Sequence, residues 1–291
     1  MLSQEVLKKI QTLHFKTKRM ASDLFAGRYV SAFKGRGMEF AEVREYYPGD
    51  DIRTIDWNVS ARYGHPFVKV FHEERELTVM LVLDVSGSHA FGTRSRLKRE
   101  LLAETAGMLA FLAIRTNDKV GAILFSSKVE KYIPPKKGTS HVWRLIKEIF
   151  TYEPQGKGTD INEALTFLNT AAKRHSIVFL LSDCLDEGFE KPLRMAAKKH
   201  QLTVIRLTDP AETALPDAGL VSFCDPETGE NIVINTSQKA VRQLWMEHVY
   251  RERRKLSETL NRAGVDLVDI YTDKDVVKPL MKLFEIKGRR Q

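Results

Sequence analysis

The stretch LTVMLVLDVSGSHAFG, Leu77 to Gly92, decides the fold that we expect. Its first half is a short apolar run rich in β-branched residues, which is typical of a strand buried on both faces of a parallel sheet. The run stops abruptly, and Asp84, Ser86 and Ser88 follow at alternate positions. One carboxylate and two hydroxyls are therefore expected together at the end of a buried strand.

Four further runs of the same kind predict the rest of a sheet: KVGAILFS, SIVFLLSD, LTVIRLTD and DLVDIYTD. Helical stretches separate the runs, at Ser95–Thr116, Ser140–Phe150, Ile161–Arg174, Glu190–His200 and Gln238–Ala263. Alternating strands and helices predict an α/β fold with a doubly wound, mostly parallel, Rossmann-like sheet. VEKYIPP is expected to pair as an antiparallel edge strand, and residues 219–235 are expected to form a hairpin.

The chain before Leu77 has a different pattern. Residues 3–25 have helical apolar spacing, and short β-like pieces with Gly, Pro and dense charge follow. We therefore predict two domains, a small N-terminal α+β module at 1–76 and the larger domain at 77–291. Apolar side chains of the module are expected to pack onto the larger domain; they are Phe40, Tyr46, Tyr47, Ile52, Ile55 and Trp57.

Composition excludes several classes of protein. The 291 residues are 43% hydrophobic and 29% charged, which predicts a packed core and argues against global disorder. No secretory signal or run long enough to span a bilayer is visible, and Cys184 and Cys224 lack metal-ribbon or disulfide-framework spacing. We expect a cytoplasmic protein. The net charge of +8 is concentrated towards both ends of the chain; solvated helix faces explain it best, and no nucleic-acid motif accompanies it.

Two more oxygen-bearing residues belong beside the first three. QGKGTD places Thr159 in a Gly-rich loop that enters a helix, and Asp183 ends the strand SIVFLLSD. Ligands bind at the carboxyl ends of strands in such sheets. Each residue has a structural explanation of its own, as a turn residue or helix cap. Together, however, two carboxylates and three hydroxyls form a ligand set for a hard cation, Mg²⁺ or Mn²⁺.

DVSGS, the Thr159 loop and the strand end at Asp183 resemble the metal-ion-dependent adhesion site of von Willebrand factor A domains. The resemblance implies that the three hydroxyls lie near the metal and that the two carboxylates act partly through water. It also implies that a partner protein supplies an acidic side chain to the metal. His89 departs from the family pattern, which often has Met there. We expect an exposed or rim histidine rather than a sixth ligand, although a histidine here could make the metal preference depend on pH or favour a softer metal.

GRGMEFAEVREYYPGDDIRTIDWNVSAR, Gly35 to Arg62, is similar to the signature of the domain-of-unknown-function family 58, DUF58. The two resemblances together cover roughly residues 25–210. Members of this family are often encoded beside MoxR-type AAA+ ATPases, so the resemblance implies such an ATPase as partner. The charged residues of this segment either form a partly buried ion-pair network around its aromatic side chains, which fixes the N-terminal module to the larger domain, or bind a partner directly. The sequence leaves both open.

The sequence therefore favours a non-enzymatic, metal-dependent protein-binding module, an adaptor or cofactor of a MoxR-type AAA+ ATPase that binds the ATPase or its client. A Mg²⁺-dependent phosphoryl-transfer enzyme using Asp84 is the first alternative. It lacks support, because Ser86 stands where dehalogenase-type phosphatases need an aspartate and no GxSxG or GxxxxGK[ST] motif is present. A basic nucleic-acid-binding protein is the second alternative, although no nucleic-acid partner is expected. Transient association with a membrane complex is left open.

Overall fold

The computed structural model describes residues 23–33, 39–72, 76–93, 96–156, 158–224, 229 and 231–290. The helix predicted over residues 3–25 lies almost wholly outside these ranges. Within them, none of the helices is both long enough and apolar enough to cross a bilayer.

The helices and strands follow in this order: α1 (Asp23–Phe33), β1 (Glu39–Glu45), α2 (Trp57–Tyr63), β2 (Phe67–His72), β3 (Thr78–Asp84), α3 (Lys98–Arg115), β4 (Lys119–Phe125), β5 (Val129–Lys136), α4 (Thr139–Thr151), α5 (Ile161–Ala171), β6 (Ile177–Ser182), α6 (Glu190–Lys199), β7 (Gln201–Thr208), α7 (Pro210–Thr213), β8 (Leu220–Cys224), β9 (Asn231–Asn235), α8 (Lys239–Ala263), β10 (Asp266–Tyr271) and α9 (Val277–Arg290). Short 3₁₀ turns occupy Ile52–Thr54 and Gly87–Ala90.

The central sheet has six strands in the order β10-β7-β6-β3-β4-β5. Five of them are parallel, and β5 pairs antiparallel with β4 at the edge. This confirms the predicted doubly wound α/β fold and its antiparallel edge strand, and β8 and β9 form the predicted hairpin. The chain moves from β3 to β4 on one side and later returns to β6 on the other. That reversal of strand order makes the carboxyl ends of β3 and β6 the expected ligand-binding edge.

The apolar run of β3 is continuous because both faces of this strand are covered. Val79, Leu81 and Leu83 point into a core shared with α3, α4 and α9, whereas Met80 and Val82 point into a second core shared with α5, α6 and α8. Successive side chains of a strand alternate between faces, so a strand covered on both faces needs apolar residues throughout. The central position of β3 therefore holds Asp84 rigidly at the edge of the sheet.

Helix α1 belongs to the core of the large sheet. Phe25 and Tyr29 are fully buried, and both rings contact Phe284 of α9 at centroid distances of 5.3 and 5.7 Å. Arg28 forms an ion pair with Glu285 beside them. Part of the predicted N-terminal module thus packs against the larger domain, as expected, but the contact is made by α1 and α9 and not by the residues named from the sequence. The division at residue 76 stays a prediction.

The chain between β1 and β2 exposes three of the six apolar residues that we expected to pack onto the larger domain. Tyr47, Ile52 and Trp57 are 62%, 66% and 68% exposed, so the prediction is wrong for these three. Tyr46 and Ile55 are half-buried, and the side chain of Phe40 is not among those that the structure describes. The three exposed side chains project from turns and a helix end of a two-stranded hairpin, which has too little second layer to cover them. The expected ion pairing is present mainly as a bidentate pair of 2.7 Å bonds between Arg44 and Asp50, which lowers the pKa of Asp50 to about 2.

His200 provides a test of this core. It lies between α6 and β7, is 3% exposed, and neither ring nitrogen has a hydrogen-bond partner in the described structure. Burial, with smaller contributions from Lys199 and His175, lowers its pKa to about 4. The unfolded chain, in which histidine has a pKa near 6.5, therefore binds more protons than the folded chain below pH 6.5.

We expect the free energy of unfolding to fall as the pH is lowered from 7 to 5, by about 1 to 2 kcal/mol more in the wild type than in His200→Gln. Urea unfolding at both pH values measures the difference. His248→Gln, at an exposed position, is the control and should behave as the wild type. Parallel pH dependence in the wild type and His200→Gln would contradict the prediction.

Candidate metal centre

Asp84, the last residue of β3, is fully buried. Its Oδ2 accepts a 2.6 Å bond from the Ser182 hydroxyl at the end of β6, and its Oδ1 accepts a 3.0 Å bond from the backbone N–H of Ser86. Burial raises the pKa of Asp84, His89 opposes the rise, and the neighbouring carboxylate of Asp183 adds to it. The carboxylate is thus held in one orientation by its two neighbours and lies where further negative charge is unfavourable.

The turn after β3 brings the two serine hydroxyls together. Ser86 is 3% exposed and precedes the 3₁₀ turn, which places its Oγ 3.1 Å from the Oγ of Ser88. The Ser88 hydroxyl also hydrogen-bonds to the carboxylate of Asp183, next to the end of β6. Four of the five predicted site residues, Asp84, Ser86, Ser88 and Asp183, are therefore assembled at the edge between β3 and β6.

A buried ammonium neutralises part of this cluster. Lys98, at the start of α3, is fully buried, and its Nζ lies 2.9 Å from Asp183 Oδ2 and 2.6 Å from Glu212 Oε1. Burial favours the neutral amine, but the two carboxylates outweigh it and raise the pKa of Lys98. Burial likewise acts to raise the pKa of Asp183, and Lys98 and His89 reverse this and lower it. Both groups are therefore charged at neutral pH.

Thr159 lies at the same edge of the sheet. The backbone N–H of the next residue, Asp160, donates a 2.9 Å bond to the carbonyl of Ser126, directly after β4. The N–H of Ile161 donates a 2.7 Å bond to Asp186, beyond β6. These bonds fix the start of α5 between the ends of β4 and β6. Contact of the Thr159 hydroxyl with a metal held by the other four residues stays a prediction.

His89 is at the rim of the sheet but buried, so of the two expected positions, exposed or at the rim, the exposed one is wrong. It is 2% exposed, with Nδ1 3.4 Å from Ser88 Oγ and 3.6 Å from Asp84 Oδ1. Its Nε2 has no hydrogen-bond partner among the described residues. The 3₁₀ turn that brings Ser88 towards Asp183 also carries the adjacent imidazole under the sheet edge, which explains the difference.

The residues fit a hard divalent cation. Asp84, Asp183 and Glu212 bring three carboxylates against the single ammonium of Lys98, so acidic groups outnumber this cation. Adjacent oxygens around octahedral Mg²⁺ lie about 3 Å apart, given Mg–O distances of about 2.1 Å, and the two serine oxygens are 3.1 Å apart. Glu212 can keep Lys98 paired when a cation takes Asp183.

The described residues contain no group of three or more His, Cys, Asp and Glu side chains arranged to hold a metal. A cation at this edge would therefore depend on hydroxyl oxygens as well as carboxylates. Such a mixed set suits Mg²⁺ or Mn²⁺ better than a softer metal, which prefers thiolate or imidazole.

Sequence reasoning missed three participants: Ser182, Lys98 and Glu212. Lys98 is separated by 85 residues from Asp183 and by 114 from Glu212, so no local spacing connects them. In the sequence, Lys98 is one of several basic residues at the start of a helix, and it would be taken for a surface residue because lysine is rarely buried. Ser182 could have been found from the sequence, because it precedes Asp183 at the end of an apolar strand.

Lys98→Met is expected to destabilise the fold by about 3 to 5 kcal/mol, because it leaves Asp183 and Glu212 without their buried cation. Adding Asp183→Asn should recover part of the loss, since the amide removes the uncompensated charge. Urea unfolding measures both variants, with Lys147→Met at an exposed position as the control. Equal stability of Lys98→Met and Lys147→Met would show that the buried pair does not stabilise the edge.

Comparisons with known proteins agree with this architecture. The uncharacterised protein Rv1480 of Mycobacterium tuberculosis is 30% identical over 284 residues, covering 96% of this chain and 89% of that protein. Among solved structures, BatB of Bacteroides thetaiotaomicron is 18% identical over 73% of this chain and 99% of its own, with a TM-score of 0.49. Mussel byssus PTMP1, in a structure with a zinc-occupied MIDAS motif, is 16% identical over 46% of this chain and 38% of its own, with a TM-score of 0.38.

The family match covers most of the chain. A model described as "Protein of unknown function DUF58" matches residues 42–255, which include most of the signature segment, all five predicted site residues and the hairpin formed by β8 and β9. The mostly parallel sheet has the doubly wound α/β arrangement that the sequence predicted, with four of the predicted site residues at the ends of β3 and β6. The chain belongs to the DUF58 family.

Proposed function

We propose that this protein is a non-enzymatic, metal-dependent protein-binding module. One Mg²⁺ or Mn²⁺ is held by Ser86, Ser88 and Thr159, with Asp84 and Asp183 as the negative groups. The bound cation supplies an electrophilic position that attracts an acidic side chain of a partner. The main support is the charge balance of the cluster, in which three carboxylates face one buried ammonium.

The surrounding hydrogen bonds support binding rather than turnover. Asp84 has no exposed surface and both of its oxygens accept hydrogen bonds, so it is poorly placed to attack a phosphoryl group. His89 is the only general base suggested by the sequence close to the site, and at 2% exposure it has little access to water. A site without an accessible base or nucleophile can hold a carboxylate but has little means to activate a substrate.

The partner that we propose is a MoxR-type AAA+ ATPase, or a client delivered to it. This follows from the resemblance of the signature segment and from membership of the DUF58 family. We further propose a cytoplasmic location, because the spacing of Cys184 and Cys224 fits neither a disulfide framework nor a metal ribbon, which suits a reducing compartment.

Metal binding is tested first. Calorimetry with Mn²⁺ and with Mg²⁺ should show one site in the wild type and none in Asp84→Ala, which removes one of the two ligand carboxylates. Asp217→Ala changes an aspartate whose side chain is 62% exposed and should bind as the wild type does. Ser86→Ala, a smaller change, should weaken binding at least about tenfold. Unchanged binding in both site variants would show that the cation lies elsewhere.

Partner binding is tested separately. A co-encoded MoxR-type ATPase should bind the wild type in Mg²⁺ and lose at least about tenfold in affinity in EDTA or with Ser88→Ala, as measured by surface plasmon resonance. Equal affinity in both buffers would keep the partner but remove the metal from the interface. Hydrolysis of a generic phosphate ester by the purified protein, lost in Asp84→Ala, would instead favour the phosphoryl-transfer alternative.

A further inference from the structure

A cavity of about 420 Å³ lies beside the candidate metal centre. Its walls are the loop after β6, the end of β7, the short helix α7 and one face of α8. Asp183 and Glu212, the two carboxylates that hold Lys98, also line it. The cavity is therefore continuous with the metal-centre surface, and its volume lies within the range of about 300 to 1,000 Å³ that is usual for ligand sites.

The cavity exists because α8 does not pack closely against the sheet along its whole length. This helix has 25 residues, of which only Leu256 and Leu260 are buried. Trp245, Val249 and Leu256 face the cavity at helical spacing, so an apolar stripe lies over open space. The space is a cleft open to solvent and not an enclosed void, so this stripe is accessible to a ligand from outside.

The interior of the cavity is apolar and firmly held. Phe189, Leu207 and Leu256 are almost fully buried around it. The indole N–H of Trp245 donates a 3.0 Å bond to the carbonyl of Glu212, and its ring stacks on Phe223 at a centroid distance of 6.4 Å. These contacts fix the position of the aromatic wall before any ligand arrives, which reduces the entropy cost of binding.

The charged residues of the lining are mainly acidic. They comprise six carboxylates and three strongly basic side chains, namely Asp183, Asp186, Glu187, Glu190, Glu212 and Glu252 against Arg206, Arg253 and Lys255. Both arginines are bonded to Asp269 outside the cavity, and Lys255 is bonded to Glu187. Asp269 balances only one of the two arginines, and Lys255 also interacts electrostatically with Glu190 and Glu252. The six lining carboxylates still outnumber the three lining cations, so a cationic group beside an apolar anchor complements this surface.

We propose that the cavity receives an apolar side chain of the partner protein, from a segment in which that residue is followed by lysine or arginine. The apolar side chain fills the space under α8, and the cation meets Glu190 and Glu252. Leu185, 74% exposed, lies between Asp183 and the rest of the loop and extends the apolar surface to solvent. This inference rests on the proposed function, because the same segment of the partner supplies the carboxylate to the metal.

The dipeptides acetyl-Phe-Lys-amide and acetyl-Phe-Glu-amide are the probes, titrated into the full chain. The NMR signal of the Trp245 indole N–H, assigned with Trp245→Phe, reports on the cavity directly. We expect a saturable shift with the lysine probe and affinity about fivefold weaker for the glutamate probe at low salt, from charge alone. No saturable shift with either probe, or equal affinities, would overturn the proposal.

Two kinds of variant sharpen the test. Val249→Phe fills the cavity from α8 and should abolish the shift, whereas Met246→Phe on the same helix, 54% exposed and outside the lining, should leave it unchanged. Glu190→Gln combined with Glu252→Gln alters no packing and should remove the preference for lysine. Retained binding in Val249→Phe, or a retained preference in the double variant, would count against the cavity as the site.

The same titration in Mg²⁺ and in EDTA separates this proposal from the metal site. The lysine probe has no carboxylate that could bind the metal. The affinity of the protein for this probe should therefore be equal in Mg²⁺ and in EDTA. Dipeptide binding together with absent metal binding by calorimetry would sustain the cavity and refute the metal-dependent function. Metal binding without any dipeptide binding would refute the cavity as a binding site and leave the metal-dependent function standing.

Discussion

Two buried carboxylates, Asp84 and Asp183, lie side by side at the carboxyl edge of the central sheet, and the balance of their charge governs how this edge is built. Unpaired buried charges of like sign are strongly unfavourable. Lys98 provides the compensating positive charge. Its ammonium is fully buried and pairs with both Asp183 and Glu212. The start of α3 and the short helix α7 are thereby tied to the ends of β3 and β6, although they are far apart in the sequence.

The incomplete neutralisation is the physical basis of the proposed function. One ammonium cannot balance three carboxylates, and burial together with Asp183 already raises the pKa of Asp84. A divalent cation would supply the missing charge, and the paired hydroxyls of Ser86 and Ser88 offer it neutral oxygens at a suitable separation. The neighbouring cavity under α8 gives the same surface an apolar component. Charge and apolar recognition would then act on one partner segment.

The sequence was sufficient to predict the sheet, its edge strand, the hairpin and the meeting of Asp84, Ser86, Ser88 and Asp183 at one edge, because these follow from local periodicity and from the rule for strand ends. That these residues and Thr159 bind a metal stays a prediction. It did not reveal Lys98 as a buried cation, since its partners are distant in the chain. The burial of His89 and the packing of Tyr29 against Phe284 are likewise tertiary effects. Tyr47 and Trp57 are the opposite case: they were expected to be buried but are exposed, because a small hairpin cannot cover its aromatic residues.

The most direct test of the account is crystallographic. Crystals of the full chain soaked in Mn²⁺ should give one anomalous difference peak between β3 and β6, within about 2.2 Å of the hydroxyl oxygens of Ser86 and Ser88, a distance typical of a hard divalent cation. Lys98 should then be paired chiefly with Glu212. A map without a peak at this edge, with Lys98 still bonded to both Asp183 and Glu212, would contradict the central claim and leave the cluster as a purely structural ion-pair network.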